Sequence, residues 1–256
     1  TYVKLESPNP TGSFKDRGTA LLTSVIKSRG IERVVEDSSG NAGSSLACYA
    51  AAAGIKADIF IPESTSGPKA LQIENHHATI HRIPGPREAA HKAALHFSEQ
   101  HQLPYASHAL QPFGLAGYAT IAPEIHEALK GNVGTVVAPI GHGNLFLGVM
   151  MGFRALKGES PGFIGVQPDN CAPMADQLIG KAFEGCIGTS IAEGTQVSQP
   201  VRANEILSSL DPEKDTILTV SDTEIEAAWV ALSGMGVSLE PTSAMVWAAY
   251  MKFGQA

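Results

Sequence analysis

Lys15 stands in the run Pro10-Thr11-Gly12-Ser13-Phe14-Lys15-Asp16-Arg17-Gly18, where an apolar helical pattern begins at Leu21, Leu22, Val25 and Ile26. A lysine amine is protonated at neutral pH and is a poor nucleophile there, unless its surroundings lower its pKa or an electrophile traps it. Taken alone, such a lysine reads as a surface residue, because lysines are mostly exposed. Three further segments change that reading. Ser38-Ser39-Gly40-Asn41-Ala42-Gly43 follows one strand-like run, Gly141-His142-Gly143-Asn144-Leu145 follows another, and Leu239-Glu240-Pro241-Thr242-Ser243-Ala244 opens a late helix. A strand-to-helix turn of the first two kinds directs backbone N–H groups at an anion. Gly12 permits close backbone approach, and Ser13 with Asp16 fits a capping box at the start of the Lys15 helix. Each segment also has a plainer use, since Ser, Gly and Asn are common in turns and Pro241 with Thr242 or Ser243 suits a helix start.

Holding such segments requires strands alternating with helices. The patterns predict strands over 33–36, 58–61, 79–83, 135–138, 163–166 and 216–220. They predict helices over 13–29, 42–53, 69–75, 86–101, 121–130, 144–157, 222–235 and 242–253. That alternation is the pattern of a parallel sheet flanked by helices, a three-layer α/β/α fold. Thr135-Val136-Val137-Ala138 is continuously apolar, as suits a strand buried on both faces. Two lobes are expected: a smaller, movable one over 17–105, and a larger one from 1–16 and 106–256 that carries the Gly141 loop.

In order and rough spacing these segments resemble the tryptophan-synthase-β-like superfamily, the fold-type II enzymes that use pyridoxal 5'-phosphate. Within it they look most like the threonine synthase, threonine dehydratase and cysteine synthase group. The resemblance covers nearly the whole chain and implies a two-lobed fold with the same division. It makes Lys15 the amine that joins the cofactor as a Schiff base and, once freed, takes the substrate's Cα proton. It gives Ser39, Gly40, Asn41 and Ala42 the substrate carboxylate, with Asn41 also bonded to the cofactor's 3'-oxygen. Gly141, His142, Gly143, Asn144 and Leu145 would cradle the phosphate, and Glu240 would line the cofactor pocket. Gln111, where relatives often carry asparagine, would border the substrate, and Ala192-Glu193-Gly194-Thr195 would lie near the pocket entrance. His142 and Asn144 depart from a loop that is usually richer in glycine, while leaving its backbone donors intact. A bulky residue at Gly143 is expected to weaken cofactor affinity far more than stability.

The same resemblance places the pyridine-nitrogen partner on a strand beyond residue 256. The strand-like opening run Tyr2-Val3-Lys4-Leu5, without an initiator methionine, likewise implies a truncated chain. Ser39-Gly40-Asn41-Ala42 and Glu240-Pro241-Thr242-Ser243 are closer to threonine synthase than to cysteine synthase. The implied reaction is elimination or replacement at Cβ or Cγ of a small hydroxy-amino-acid-type substrate. Threonine synthesis stands ahead of threonine or serine deamination and of cysteine synthesis. A protein that keeps cofactor or ligand without turnover is the alternative from another class. For a phosphorylated substrate, Lys69, Arg82 and Arg87 are the basic candidates in the smaller lobe.

Composition narrows the partners. The 256 residues are 43% hydrophobic and 17% charged, with net charge −7, as in an ordinary globular enzyme. No Lys/Arg cluster appears, which argues against nucleic acid, and no run of 18 apolar residues argues for a membrane helix. Gly141 and Gly143 give G-x-G, but Phe146 holds the third glycine position of the dinucleotide fingerprint. Seven histidines between His76 and His108 lack metal-ligand spacing and read as exposed helix faces, so no metal is expected. Cys48, Cys171 and Cys186 are odd in number and far apart, which predicts no disulfide framework and a reducing, cytoplasmic setting. The resemblance adds a homodimer.

Overall fold

The computed structural model describes residues 1–254 and resolves two compact units, Thr1–Tyr118 and Ala119–Ala256. The expected 17–105 segment lies inside the first. Each unit is built on its own parallel three-stranded sheet. No described helix is long and apolar enough to cross a membrane.

In the first unit β1 (Arg33–Glu36), β2 (Lys56–Pro62) and β3 (Thr79–Ile83) lie in the order β1-β2-β3. Val34 pairs with Ala57, and Ile59 with Ile80. Alternate strand residues face opposite sides. Val34, Ile59 and Ile61 therefore pack with Leu22 and Ile26 of α1 (Lys15–Ser28), Leu46 of α2 (Asn41–Ala53) and Ile73 of α3 (Pro68–Asn75). Val35 and Phe60 pack instead with Ala94 of α4 (Arg87–His101). The alanines of α2 let α1 lie close against it. Beyond α4 the chain returns along β1: Val35 N–H donates to Pro104 O at 3.0 Å, and Ala106 N–H to Val35 O at 2.7 Å. This short parallel bridge sets residues 104–108 beside the end of β1. The unit ends in α5 (Phe113–Ala119), where Gly117 meets α1 so closely that a Cβ would stand 2.3 Å from Arg17 O.

The second unit orders β4 (Thr135–Pro139), β5 (Gly162–Pro168) and β6 (Thr216–Val220) as β4-β5-β6. On one face α10 (Asp222–Gly234) and α11 (Pro241–Phe253) cover Ile164, Val166 and Val220. On the other, Phe146 and Phe153 of α7 (Asn144–Ala155) meet Phe163 edge-on. The central strand β5 is buried throughout, whereas β4 is buried fully only at Ala138, because it forms one edge. Helix α6 (Ile121–Ala128) packs on α7, and two short helices, α8 (Pro173–Leu178) and α9 (Ala203–Leu207), lie between β5 and β6.

Three expectations are corrected. Residues 2–5 pair with no strand among the described residues; Tyr2 is 79% exposed, and without a neighbouring strand the run has no ladder to join. Ser13 and Asp16 form no capping box, for Phe14 is the N-cap and Asp16 is turned inward. Cys171 and Cys186 are joined in a disulfide. The turn after β5 meets the chain returning from α8, where Ile187 N–H donates to Asn170 O at 2.7 Å. Sequence spacing carried no sign of that return.

Candidate active site

Asp16, 1% exposed, accepts the Thr11 N–H at 2.7 Å, the Thr11 hydroxyl at 2.6 Å and the Ser45 hydroxyl at 2.7 Å. It thereby ties the Pro10–Phe14 turn and the first turn of α1 to α2. The adjacent Lys15 is held partly buried, with Nζ 4.6 Å from the Phe14 ring centre. Phe14 is itself braced edge-on by Tyr118. Burial lowers the Lys15 amine from its ordinary value to about 8, and the Glu36 carboxyl partly offsets that shift.

The Ser38–Gly43 loop runs from the end of β1 into α2, with Gly40 as N-cap and Asn41 as the first helical residue. Gly43 is required there, because a Cβ would lie 1.8 Å from Ser38 O. The first N–H groups of this 13-residue helix have no intrahelical acceptors and suit an anion. Ahead of the loop, Glu36 and Asp37 are 1% and 2% exposed. Glu36 accepts the His108 N–H at 3.1 Å, and its other oxygen lies 2.9 Å from His108 Nδ1. Asp37 accepts the Tyr105 hydroxyl and the Arg87 guanidinium donates to its backbone oxygen, while His91 Nδ1 stands 3.1 Å from its carboxylate. Burial, then the Asp37 charge, pushes the Glu36 carboxyl up to about 8, against the pull of the His108 and Asp37 N–H groups and Arg87. Burial, then the Lys15 and Arg87 charges, drives His108 down to about 3. Glu36, His108, Ala42 and Gln111 line one small cavity.

In the second unit the Gly141 loop lies between β4 and α7 with Gly143 as a left-handed N-cap, φ +94°. A Cβ at Gly141 would approach Gly194 O to 2.7 Å, and Gly194 N–H donates to Thr242 Oγ1 at 3.3 Å. Three separately noted segments thus converge: the glycine loop, the 192–195 turn and the start of α11. Asn144 is buried and accepts Arg202 Nε at 2.9 Å, while His142 O accepts the Arg202 N–H at 3.0 Å. Glu240 is exposed at the N-cap of α11. The expectation for Gly143 is amended, since a Cβ there would stand 2.5 Å from Ile206 Cδ1 in left-handed backbone. Gly143→Val is expected to cost roughly 2–4 kcal/mol of stability as well as anion affinity. Urea unfolding beside phosphate or cofactor titration separates the two losses, and a variant as stable as wild type contradicts the fit.

Lys15, Ser39, Gly40, Asn41, Ala42 and Gln111 thus fall in the first unit, and Gly141–Leu145 with Glu240 in the second. Glu36, Asp37, Tyr105 and His108 were missed. An acidic pair ending an apolar strand just before a glycine turn was the available signal. The histidines also differ from expectation: His81 lies 2.8 Å from the buried Asp58 carboxylate, and His91 and His108 meet Asp37 and Glu36, whereas His77, His96 and His101 are exposed.

A family model described as "Pyridoxal-phosphate dependent enzyme" matches residues 1–256. Threonine synthases of Methanosarcina acetivorans and Methanocaldococcus jannaschii are each 30% identical over 95% of the chain, which spans 62% of their length. Among solved structures, the processed form of threonine deaminase isoform 2 from Solanum lycopersicum superposes with TM-score 0.87 at 24% identity, covering 100% of this chain and 71% of that one. Maize serine racemase superposes with TM-score 0.86 at 22% identity, covering 99% and 77%. At these identities the solved structures bear on the fold, which they share.

Proposed function

Because the chain belongs to the family of pyridoxal-phosphate-dependent enzymes, we propose that it carries out elimination or replacement at Cβ or Cγ of a small hydroxy-amino-acid-type substrate, as the threonine synthases it is similar to would imply. The observation that carries this reading is the partly buried Lys15, whose amine is brought by desolvation to about 8 beside a strand-to-helix turn. The residues present fit the cofactor: an amine poised for an aldehyde, and a glycine loop that turns through left-handed Gly143 straight into the N-terminus of the 12-residue α7, an end that suits a phosphate. When bound, pyridoxal phosphate supplies an electron sink for the charge that develops at the substrate Cα. In this reading Lys15 holds the cofactor and, when freed, takes the Cα proton. The 39–42 loop holds the substrate carboxylate, Gln111 borders the substrate, the 141–145 loop holds the phosphate and Glu240 lines the cofactor pocket. The working form is taken to be a homodimer, and the Cys171–Cys186 disulfide removes the ground for a reducing, cytoplasmic setting.

One observation favours a second outcome, deamination of an unphosphorylated substrate. Arg82 donates to Glu74 and to Thr65 O, and Arg87 is engaged with Asp37, so neither is offered to a substrate phosphate. The Lys69 side chain lies outside the described residues. Borohydride reduction followed by peptide mapping tests the cofactor assignment, and label on any other lysine removes it. Assays with O-phosphohomoserine, threonine, serine, and O-acetylserine plus sulfide test the reaction. Turnover of only the last pair points to cysteine synthesis, and turnover of none favours a binding protein without catalysis.

A further inference from the structure

The Glu36–His108 pair has a chemistry beyond holding residues 104–108 to β1. Each oxygen of the buried carboxyl meets His108, at 3.1 Å to its N–H and 2.9 Å to its Nδ1, and the Asp37 N–H also bears on the carboxyl. Such a pair has two arrangements with a neutral ring, and they differ by one proton. With Glu36 ionised, the ring hydrogen sits on Nδ1 and Nε2 is an acceptor. With Glu36 protonated, the carboxyl donates to Nδ1 and the ring hydrogen sits on Nε2, a donor. The pair shares its cavity with Ala42 and Gln111, two of the residues proposed above to meet the substrate, and with Thr19 and Tyr118.

We propose that Glu36 and His108 form a proton relay for the oxygen at the substrate's Cβ, with His108 the catalytic acid and Glu36 the positioning residue that reloads it. This rests on the elimination reading above. The Cα proton goes to Lys15, and the electron pair of the Cα–H bond becomes the Cα=Cβ bond. The Cβ–O bond breaks with its pair on oxygen, which takes the hydrogen from His108 Nε2 while Nδ1 takes the Glu36 proton. Water departs, His108 stays neutral and Glu36 is left a carboxylate. Addition of water at Cβ runs the same transfers backwards. The titratable groups facing Glu36 are Lys15 from α1, the adjacent Asp37, Arg87 from α4, Tyr105 and His108 beside β1, and Tyr118 from α5. Burial and Asp37 keep Glu36 protonated until about pH 8, so the relay is loaded at neutral pH and is lost as pH rises through that value.

Leaving-group dependence tests the relay, because hydroxide needs a proton to depart and chloride does not. Pyruvate release from serine and from β-chloroalanine is compared in wild type and Glu36→Gln, an isosteric change that keeps the acceptor for the His108 N–H. The serine-to-chloroalanine ratio is expected to fall about 100-fold, within the range of general acid catalysis. A measurement free of activity and of variants is nitrogen NMR of labelled histidine. The wild-type His108 ring is expected to change from the Nε2–H to the Nδ1–H tautomer between about pH 6.5 and about pH 9.5, on either side of the carboxyl's titration. In Glu36→Gln the ring is expected to keep Nε2–H throughout, because the Gln amide donates to Nδ1. A ratio within about twofold of wild type, or a wild-type tautomer that does not change, overturns the relay while leaving the elimination reading standing. A wild-type protein that releases pyruvate from neither compound overturns the elimination reading, and the relay with it.

Discussion

Replacing Lys15 by alanine is expected to lower turnover by roughly 10³-fold or more, since one change removes both the covalent tether and the Cα base. The same variant is expected to be at least as stable as wild type at neutral pH. A lysine whose folded value is about 8, against an ordinary 10.5, is held in its charged form at a cost below pH 8. The shift corresponds to a few kcal/mol, on the order of 1.4 kcal/mol per unit. The sign follows from proton counting. Between the folded and ordinary values the unfolded chain binds more protons, so wild-type stability rises with pH from about 8 towards 10.5. Lys15→Ala removes that rise. Urea unfolding at neutral and alkaline pH, run beside borohydride trapping, checks both halves. A variant that still traps cofactor elsewhere on the chain would dismiss Lys15 as the tether, and one clearly less stable at neutral pH would dismiss the desolvation account.

The largest expected loss of stability comes from Asp16→Ala. Asp16 accepts three hydrogen bonds of 2.6–2.7 Å while 1% exposed, and its removal leaves the Thr11 N–H, the Thr11 hydroxyl and the Ser45 hydroxyl without that acceptor. Leaving buried polar groups unmatched to a charged partner costs about 3–5 kcal/mol. Because Asp16 ties the turn before Lys15 to α2, borohydride trapping at Lys15 is expected to weaken as well. Thr11→Val, which deletes one of the three donors and leaves Asp16 in place, is expected to lose only about 1–2 kcal/mol. A loss below about 1 kcal/mol in Asp16→Ala would show that the carboxylate does not organise this turn.

Hydrophobic period made most of the framework legible. The strands at 33–36, 79–83 and 216–220 coincide with Arg33–Glu36, Thr79–Ile83 and Thr216–Val220, and α2, α4, α7, α10 and α11 follow their patterns to within two residues at each end. Each of those helices is long enough to show a repeating apolar stripe. The short α8 and α9 were not legible, because six and five residues hold less than two turns of pattern. Helix α8 begins where the buried Gln167 of β5 accepts the Met174 and Ala175 N–H groups, both at 3.0 Å. That partner comes from a neighbouring strand and not from a local cap.

The site divides in the same way. Lys15, the Ser38–Gly43 loop and the Gly141–Leu145 loop could be proposed from the sequence because the chemistry proposed for them is local: a lysine at a helix start, and small residues where a strand turns into a helix. By itself the sequence determined the βα alternation, the apolar faces, and the glycines that only a close approach or a left-handed turn requires. The tertiary structure decided the electrostatics. Asp16, read as half of a capping box, is a buried acceptor that draws Ser45 of α2 as well as Thr11, and the Glu36 carboxyl is pushed up by the burial that the fold imposes, against the N–H that His108, 72 residues later, brings back along β1. A pKa depends on which charges and donors surround a group and on how much water is excluded. Those neighbours come from distant parts of the chain, so spacing along the sequence does not carry them.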